Sequence, residues 1–291
     1  MALWSVALAL AAVAFDEASF VCVTEPPGSG PAAARNAGTR GGSGELLAFV
    51  DADVVVHPDA FTRIRDAFEA DPGLAAVFGA YDDSPEAPDA VSGFRNLLHH
   101  RVHLEGAGPA ETFWAGLGAV RRDAFAAAGG FDAARFPHSS VEDIDLGMRL
   151  SSAGHRIRLD PQIQGKHLKR WTLAEMVRVD FSNRGVPWTR LLLESEGGGG
   201  QLNLSPRHLA GTVASLIAIG GVLARRPRAA ALGLAALLGL NSGLYALIWR
   251  RRGPGQAAAA LILHPIHHLT AAAAGAVGLA RHLLGARVGL R

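Results

Sequence analysis

Two acidic residues, Asp51 and Asp53, stand one residue apart directly after the apolar run Leu46–Val50. Hard divalent cations prefer oxygen ligands, so two carboxylates at the end of a buried strand can face one ion together with the phosphate groups that the ion holds. The same triplet also occurs in solvated turns and at helix caps. The spacing therefore marks a candidate metal and phosphate site, which the rest of the sequence has to support.

A second acidic pair, Glu142 and Asp143, precedes a segment with the pattern of a helix ending at Gly154. Acidic residues in the first turn of a helix stabilise the positive end of its dipole, which is the structural interpretation of this pair. That role leaves the carboxylates free to serve a second one.

The order of predicted elements is that of an α/β domain. The run Leu46–Val50 predicts a central parallel strand, and ligands of such sheets bind beyond the carboxyl ends of the strands. Pro58 opens a predicted helix. Strands are also predicted at 20–24, 74–81, 116–121 and 155–159, and helices at 32–38, 58–70, 92–105, 123–128 and 143–153.

Four segments in sequence order resemble the family 2 glycosyltransferases, which have the GT-A fold. The segments, which span about 20–171, are Gly30-Pro31-Ala32-Ala33-Ala34-Arg35-Asn36-Ala37-Gly38 with Gly44 to Asp53, Phe113-Trp114-Ala115-Gly116 with Gly129-Gly130-Phe131-Asp132, Glu142-Asp143-Ile144-Asp145-Leu146 with Arg149 and Leu150, and His167-Leu168-Lys169-Arg170-Trp171. The last is similar to the Gln-x-x-Arg-Trp motif of processive members, with His in place of Gln. The resemblance implies a GT-A-like fold, a truncated Rossmann-like mixed sheet with flanking helices, followed by a C-terminal α-helical membrane region.

The resemblance also implies a donor side to the site. Asp51 would contact the donor ribose or the metal, and Asp53 would bind Mn²⁺ or Mg²⁺ directly. His167 would complete the metal site or shape the acceptor pocket. Arg35 and Asn36 would lie near the nucleotide of a nucleotide-sugar donor, although an ordinary surface charge is the alternative for Arg35.

The acceptor side follows from the same resemblance. Asp143, with Glu142 beside it, would deprotonate the acceptor hydroxyl for inverting transfer. The residues expected to bind the acceptor are Trp114, Gly116, Arg170 and Trp171. Trp171 would stack on a sugar or anchor the domain at a membrane interface, and the sequence leaves both open.

The resemblance begins in the middle of the usual family 2 domain, without its N-terminal nucleotide-binding strands. The expected activity is transfer of a sugar to a lipid, a polyprenyl-linked sugar or a glycan at the membrane. Three alternatives stay open. A partner chain completes the nucleotide pocket, or the chain is an inactive GT-A-like membrane protein or fragment that binds a partner, or the signal-like start marks a secreted binding module.

Composition separates the chain into two regions. The segment 206–291 has ten Arg and no Asp, Glu or Lys, which leaves 18 basic and 26 acidic residues in 1–205. A basic, Ala- and Leu-rich, acid-free segment is typical of lipid-embedded helices, and a nucleic-acid arm would be polar throughout. The apolar runs are 209–224, 229–249 and 256–279, and a span needs about 20 apolar residues, so the second and third qualify and the first is marginal.

These observations predict four regions. They are an apolar helix at 1–19 that is a remnant or signal-like, a catalytic domain at 20–196 with an interfacial helix at about 172–186, a linker at 197–208, and two to three membrane helices at 209–285. The lone Cys22 excludes an intrachain disulfide. The expected location is the inner cell membrane, multi-pass, with the catalytic domain facing the cytoplasm.

Overall fold

The computed structural model describes residues 29–195 and 205–288. The predicted N-terminal helix at 1–19, the strand at 20–24 and most of the linker at 197–208 lie outside these residues. The described chain divides into two compact units, each built from separate stretches of sequence. The first unit comprises 29–82 and 103–168, and the second comprises 83–102, 169–195 and 205–288.

The first unit is a sheet with helices. In chain order its elements are α1 (Gly30–Gly41), β1 (Leu46–Val50), β2 (Val54–Val56), α2 (Ala60–Ala70), β3 (Leu74–Tyr81), the end of α3 (Ala90–Glu105), β4 (Gly108–Ala110), β5 (Leu117–Arg121), α4 (Arg122–Ala127), α5 (Glu142–Ser152) and β6 (Arg156–His167). The six described strands run in the order β1-β5-β3-β6-β2, with β4 also paired to β6. Because β3 and β6 are parallel while the other pairs are antiparallel, the sheet is mixed, as expected.

Two strands differ from the prediction. The described partner of β1 is β5, and the pair is antiparallel, where a parallel central strand was expected. Strand β6 has 12 residues, where the pattern predicted only 155–159. The ladder between β3 and β6 shifts register between Phe78 and Ala80, opposite the stretch that contains Pro161. A proline is tolerated at such an irregularity because no ladder N–H is needed there.

The core of the first unit lies on both faces of β3, all eight residues of which are buried. One cluster packs α2 against the sheet through Ile64, Phe68, Val77 and Ile163. On the β1 side, Phe49 packs edge-on against Phe131, with ring centroids 5.2 Å apart. This aromatic contact lies two residues before Asp51 and so fixes the end of the strand that carries the acidic triplet.

The second unit is helical. Its elements are the first part of α3, α6 (Leu173–Arg178), a π-helical segment (Val179–Gly185), α7 (Val186–Glu194), α8 (Pro206–Leu223), α9 (Pro227–Leu240) and α10 (Ser242–Val288), which is kinked at Gly253. Its core cluster joins Phe94 and Leu97 of α3 to Leu244 and Ile248 of α10. The helical segment predicted at about 172–186 is longer in the structure. It consists of α6, the π-helical segment and α7, and it ends at Glu194.

Two helices of the described chain are long and apolar enough to cross a membrane, Pro206–Leu223 and Ser242–Leu284. This corrects the predicted division, in which 229–249 qualified and 209–224 was marginal. The helix that begins at Pro227 ends at its C-cap, Asn241, so α9 is only 14 residues long. The first apolar run gains length because Ser205 caps α8 and Pro206 occupies its first turn.

Three histidines of α10 are buried in the second unit. His264, His267 and His268 have 1%, 7% and 0% exposure. Their ring Nδ1 atoms contact Tyr245, Asp180 and Thr212 respectively, each at about hydrogen-bond distance. Asp180 is also paired with the buried Arg95. These contacts tie α10 to α3, α8 and the π-helical segment.

Candidate active site

A cluster of charges forms where α1, the end of β1 and the start of α5 meet. The Arg35 guanidinium donates to Asp51 Oδ1 and to Glu142 Oε1, both at 2.8 Å. Burial alone would lower the pKa of Arg35, but Asp51, Asp143 and Glu142 outweigh it and raise that pKa. The Arg35 guanidinium therefore joins Asp51, from its own family segment, to Glu142, which lies 107 positions further along the sequence.

Asp143 lies beside this cluster in the first turn of α5. Its Oδ2 accepts a hydrogen bond from the backbone N–H of Ala115 at 3.1 Å. Burial, followed by the negative charge of Glu142, raises the pKa of Asp143 to about 6, while Arg35 acts in the opposite direction. Asp143 is partly accessible to solvent, but protein surrounds most of the carboxyl group. A carboxylate with a pKa close to neutrality is well suited to accept a proton at physiological pH.

A second pair of side chains lies at the start of β2 and the end of β6. His167 Nε2 is 3.6 Å from Asp53 Oδ2, because Val54 and His167 are direct partners in the antiparallel ladder. The buried imidazole of His167 stacks on Tyr81 with ring centroids 4.1 Å apart. The stacking holds the imidazole, so the orientation of His167 is set by β3 as well as by its own strand.

This pair suits part of a metal site. Two ligands of one ion, each about 2.1 Å from it, lie roughly 3 Å apart, close to the separation seen between Asp53 and His167. Asp51 is turned to Arg35 by an ion pair. Among the described residues no group of three His, Cys, Asp or Glu side chains is arranged to hold an ion. Asp53 and His167 would thus supply two ligands, and the remaining positions would fall to oxygens of a bound diphosphate.

Asn36 has a different environment from the one predicted. Its amide donates to the carbonyl oxygen of Phe131 at 2.7 Å and accepts from the N–H of Phe131 at 3.0 Å. Both ends of the amide are thereby engaged with backbone, and Asn36 holds the Gly130–Phe131 segment against α1. A contact between Asn36 and a donor stays a prediction.

The predicted acceptor residues fall in two places. Trp114 is half-buried in the first unit and packs edge-on against Tyr81, with ring centroids 4.9 Å apart. A Cβ on Gly116 would lie 2.3 Å from the Trp114 ring, so only glycine lets this ring fold back. The carbonyl oxygen of Gly116 also accepts from the N–H of Asp51. Gly116 therefore positions the acidic triplet through its carbonyl oxygen, while contact of Trp114 or Gly116 with an acceptor stays a prediction.

Arg170 and Trp171 belong to the second unit. The side chain of Arg170 is 76% exposed and lies 3.4 Å from Asp89. Trp171 is 6% exposed in the helical core, with the cations of Arg95 and Lys169 each over its ring. Because the ring is enclosed, Trp171 serves as a core residue in the structure and offers no open face to a sugar or to a membrane interface.

Sequence reasoning missed the groups that align Asp143. The Ala115 N–H carries no side-chain signal, and neither does Gly147, where an added Cβ would lie 2.1 Å from the backbone nitrogen of Phe113. This close approach presses α5 onto the loop that presents Ala115. A glycine four residues after an acidic helix start is the only trace of the contact in the sequence.

Gly147→Ala is expected to lower stability by about 1–3 kcal/mol through overpacking, and to reduce activity because the Asp143 carboxylate shifts from the Ala115 N–H. Urea unfolding and steady-state kinetics measure the two effects. Gly38→Ala is the matched control, since Gly38 lies in α1 with nothing within 4 Å of its Cβ position. A Gly147→Ala variant as stable and active as Gly38→Ala would contradict the contact.

Comparisons with known proteins agree with the geometry. Residues 4–128 match the family model "Glycosyl transferase family 2". The mannosyltransferase PcManGT from Pyrobaculum calidifontis, solved in complex with GDP-Man and Mn²⁺, superposes with a TM-score of 0.51 at 18% identity, covering 88% of this chain and 68% of that one. TarS residues 1–349 from S. aureus gives a TM-score of 0.36 at 13% identity, covering 85% and 71%. No curated protein matches the sequence.

Residues 4–128 therefore resemble the family 2 glycosyltransferases, and the first unit has the mixed sheet and flanking helices of the GT-A fold. The family match indicates a glycosyltransferase. It agrees with the family and the fold that the motifs around Arg35, Asp51 and Asp53 indicated.

Proposed function

We propose that the chain transfers a sugar from a nucleoside-diphosphate sugar to an acceptor held at the inner cell membrane, with inversion at the anomeric carbon. The observation that carries the proposal is the ion-paired cluster in which Arg35 connects Asp51 and Glu142 beside Asp143. A single displacement needs a base for the attacking hydroxyl and a group that stabilises the leaving diphosphate. Asp143, with its raised pKa, supplies the base, and the pair Asp53 and His167 is the candidate diphosphate site.

Each group has a distinct part in the proposed reaction. Asp143 accepts the proton of the acceptor hydroxyl while the Ala115 N–H holds one of its oxygens in place. Arg35 offsets the negative charge of Asp51 and Glu142, so that a donor phosphate can approach without repulsion. Asp53 and His167 would hold Mn²⁺ or Mg²⁺, which when bound neutralises the charge that develops on the departing diphosphate.

Two further aspects are supported less directly. PcManGT was solved with GDP-Man and Mn²⁺, which favours GDP- or UDP-sugars as first donors to try with this chain. The two membrane-competent helices favour a lipid, polyprenyl-linked or glycan acceptor and a multi-pass membrane location. Nucleotide sugars are made inside the cell, so the catalytic domain would face the cytoplasm.

The test is a nucleotide-release assay on the full chain in detergent or nanodiscs, with UDP- and GDP-sugars and Mn²⁺. We expect metal-dependent release that Asp53→Asn lowers by about 10²–10³, since one ligand and its charge are lost. Asp66→Asn, at an exposed position on α2, is the control. Failure of the intact chain to bind any nucleotide would contradict the proposal and support the alternative of an inactive, partner-binding GT-A-like protein.

A further inference from the structure

The turn between α8 and α9 carries three arginines close together in sequence. Arg225, Arg226 and Arg228 are exposed and line a shallow surface depression with Pro227 and Ala229. Within the described part of the chain none of the three forms a hydrogen bond or ion pair through its guanidinium group. Three neighbouring cations thus share one surface, and no acidic side chain of 29–195 or 205–288 pairs with them.

Arginines elsewhere in the second unit are different. Arg251 is paired with Asp83, and Arg252 donates to the carbonyl oxygen of Ala87. The sequence from 206 onward has no acidic residue, so the α8–α9 turn gains no counter-charge from its own segment. The two arginines next to the kink of α10 are thus held by protein groups, whereas the described residues offer no such group to the three arginines of the turn.

The backbone of the turn is also unusual. The N–H of Arg226 donates to Gly221 and the N–H of Arg225 donates to Val222, which is the pattern of a Schellman helix end. Arg225 has φ 54°, and among the described residues it is the only non-glycine with positive φ. Glycine would take this conformation without strain. A charged residue is thus present where folding alone favours glycine.

The surroundings of the turn are apolar and exposed. Val222, Leu223 and Leu232 are 67%, 79% and 70% exposed. The facing sides of α8 and α9 are built from small residues, with a Cβ on Gly221 or Gly233 falling 2.4 Å from the backbone of the other helix. Small residues inside and leucines outside are characteristic of helices that pack in lipid.

The length of α9 limits how this hairpin meets a membrane. Its 14 residues rise about 21 Å, against a hydrocarbon core of about 30 Å. Because α8 is long enough to cross and α9 is not, the turn at the end of α8 lies level with the headgroups, where the exposed leucines beside it enter the acyl layer.

We propose that the turn 225–228 is a binding site for the phosphate of an anionic phospholipid at the membrane interface. Guanidinium groups bind phosphate oxygens in pairs, and the exposed Leu223 and Leu232 beside them contact the acyl chains of the same lipid. The site anchors the hairpin to anionic lipid, and it is independent of the chemistry proposed for the first unit.

The full chain in detergent, titrated with fluorescent phosphatidylglycerol or phosphatidylcholine, tests the site. We expect preference for phosphatidylglycerol, and a loss of roughly 100-fold in its affinity for the triple variant Arg225→Gly, Arg226→Gln, Arg228→Gln. Arg225→Gly alone should weaken phosphatidylglycerol binding about fivefold while raising the thermal midpoint, because glycine relieves the backbone strain. A structural role for Arg225 would not give this opposite pair of effects.

Two controls define charge and position. Replacing all three arginines by lysine keeps the charge but loses the paired hydrogen bonds, so it should weaken binding less than the Gly/Gln triple variant does. Arg250→Gln, at an exposed arginine outside the turn, should keep all of the binding. The proposal is overturned if the wild-type chain binds both lipids equally, or if inorganic phosphate at millimolar concentration displaces phosphatidylglycerol. Displacement would identify the ligand as a free anion. The preference of the wild-type chain for phosphatidylglycerol over phosphatidylcholine can be measured whether or not the triple variant folds.

Discussion

Asp143→Asn is expected to lower the turnover number about 10²–10⁴-fold while leaving the affinity for the nucleotide-sugar donor unchanged. The asparagine amide oxygen can still accept the Ala115 N–H, so the start of α5 keeps its place. What is lost is the ability to take a proton. Stability should hold or rise, because ionising Asp143 is unfavourable next to Glu142 in a buried setting.

Asp123→Asn is the matched control, since Asp123 is also acidic and in the first turn of a helix, but exposed. Donor affinity measured by calorimetry and turnover measured by nucleotide release separate binding from chemistry. Full turnover in Asp143→Asn would show that another group takes the proton. A parallel loss of donor affinity would place Asp143 in donor binding.

Arg35→Met is expected to destabilise the first unit by about 3 kcal/mol, because the guanidinium is only 19% exposed and its loss leaves Asp51 and Glu142 without their partner. The same change should move the pH dependence of activity. Arg35 opposes the rise in the pKa of Asp143, so its removal raises that pKa above about 6. Asp143 then becomes ionised only at higher pH, and the acid limb of the activity profile moves upward.

Arg35→Lys keeps the charge but cannot reach both carboxylates in the same way, so it should lose less stability and leave the acid limb near its wild-type position. Urea unfolding and a pH profile of kcat/KM between pH 5 and 9 provide the two measurements. If the Arg35→Met profile coincides with that of the wild type, Arg35 acts only as a surface charge, which was the alternative reading of this residue.

The acidic residues and their elements were predictable from sequence because their signals are local. Asp51 and Asp53 directly follow an apolar run, which predicts that they lie at the end of a strand. Glu142 and Asp143 directly precede a helical pattern, which predicts that they lie at the start of a helix. The strand at 74–81 was predicted with its exact bounds because every residue in it is apolar or small. Family resemblance then brought the separate segments into one site.

The contacts between those segments were not predictable, because they depend on atoms that carry no sequence signal. The Ala115 N–H, the missing Cβ of Gly147 and the stacking of Tyr81 on His167 appear only when distant strands meet. Trp171 was misplaced for the same reason. An aromatic residue after a basic one is equally compatible with sugar stacking and with burial in the core. Only the helices that pack around the residue distinguish the two.

The division of the chain into interleaved units affects the order in which it can fold. Residues 83–102 come between two stretches of the first unit, yet their apolar partners belong to the second. When synthesis reaches His167, all six described strands have been made, but Phe94 and Leu97 still lack Leu244 and Ile248, which are made later. The nascent chain therefore passes through a stage in which the described sheet can form while the apolar face of α3 is uncovered. Synthesis of α10 ends that stage, so a chain truncated before Ser242 would expose this face.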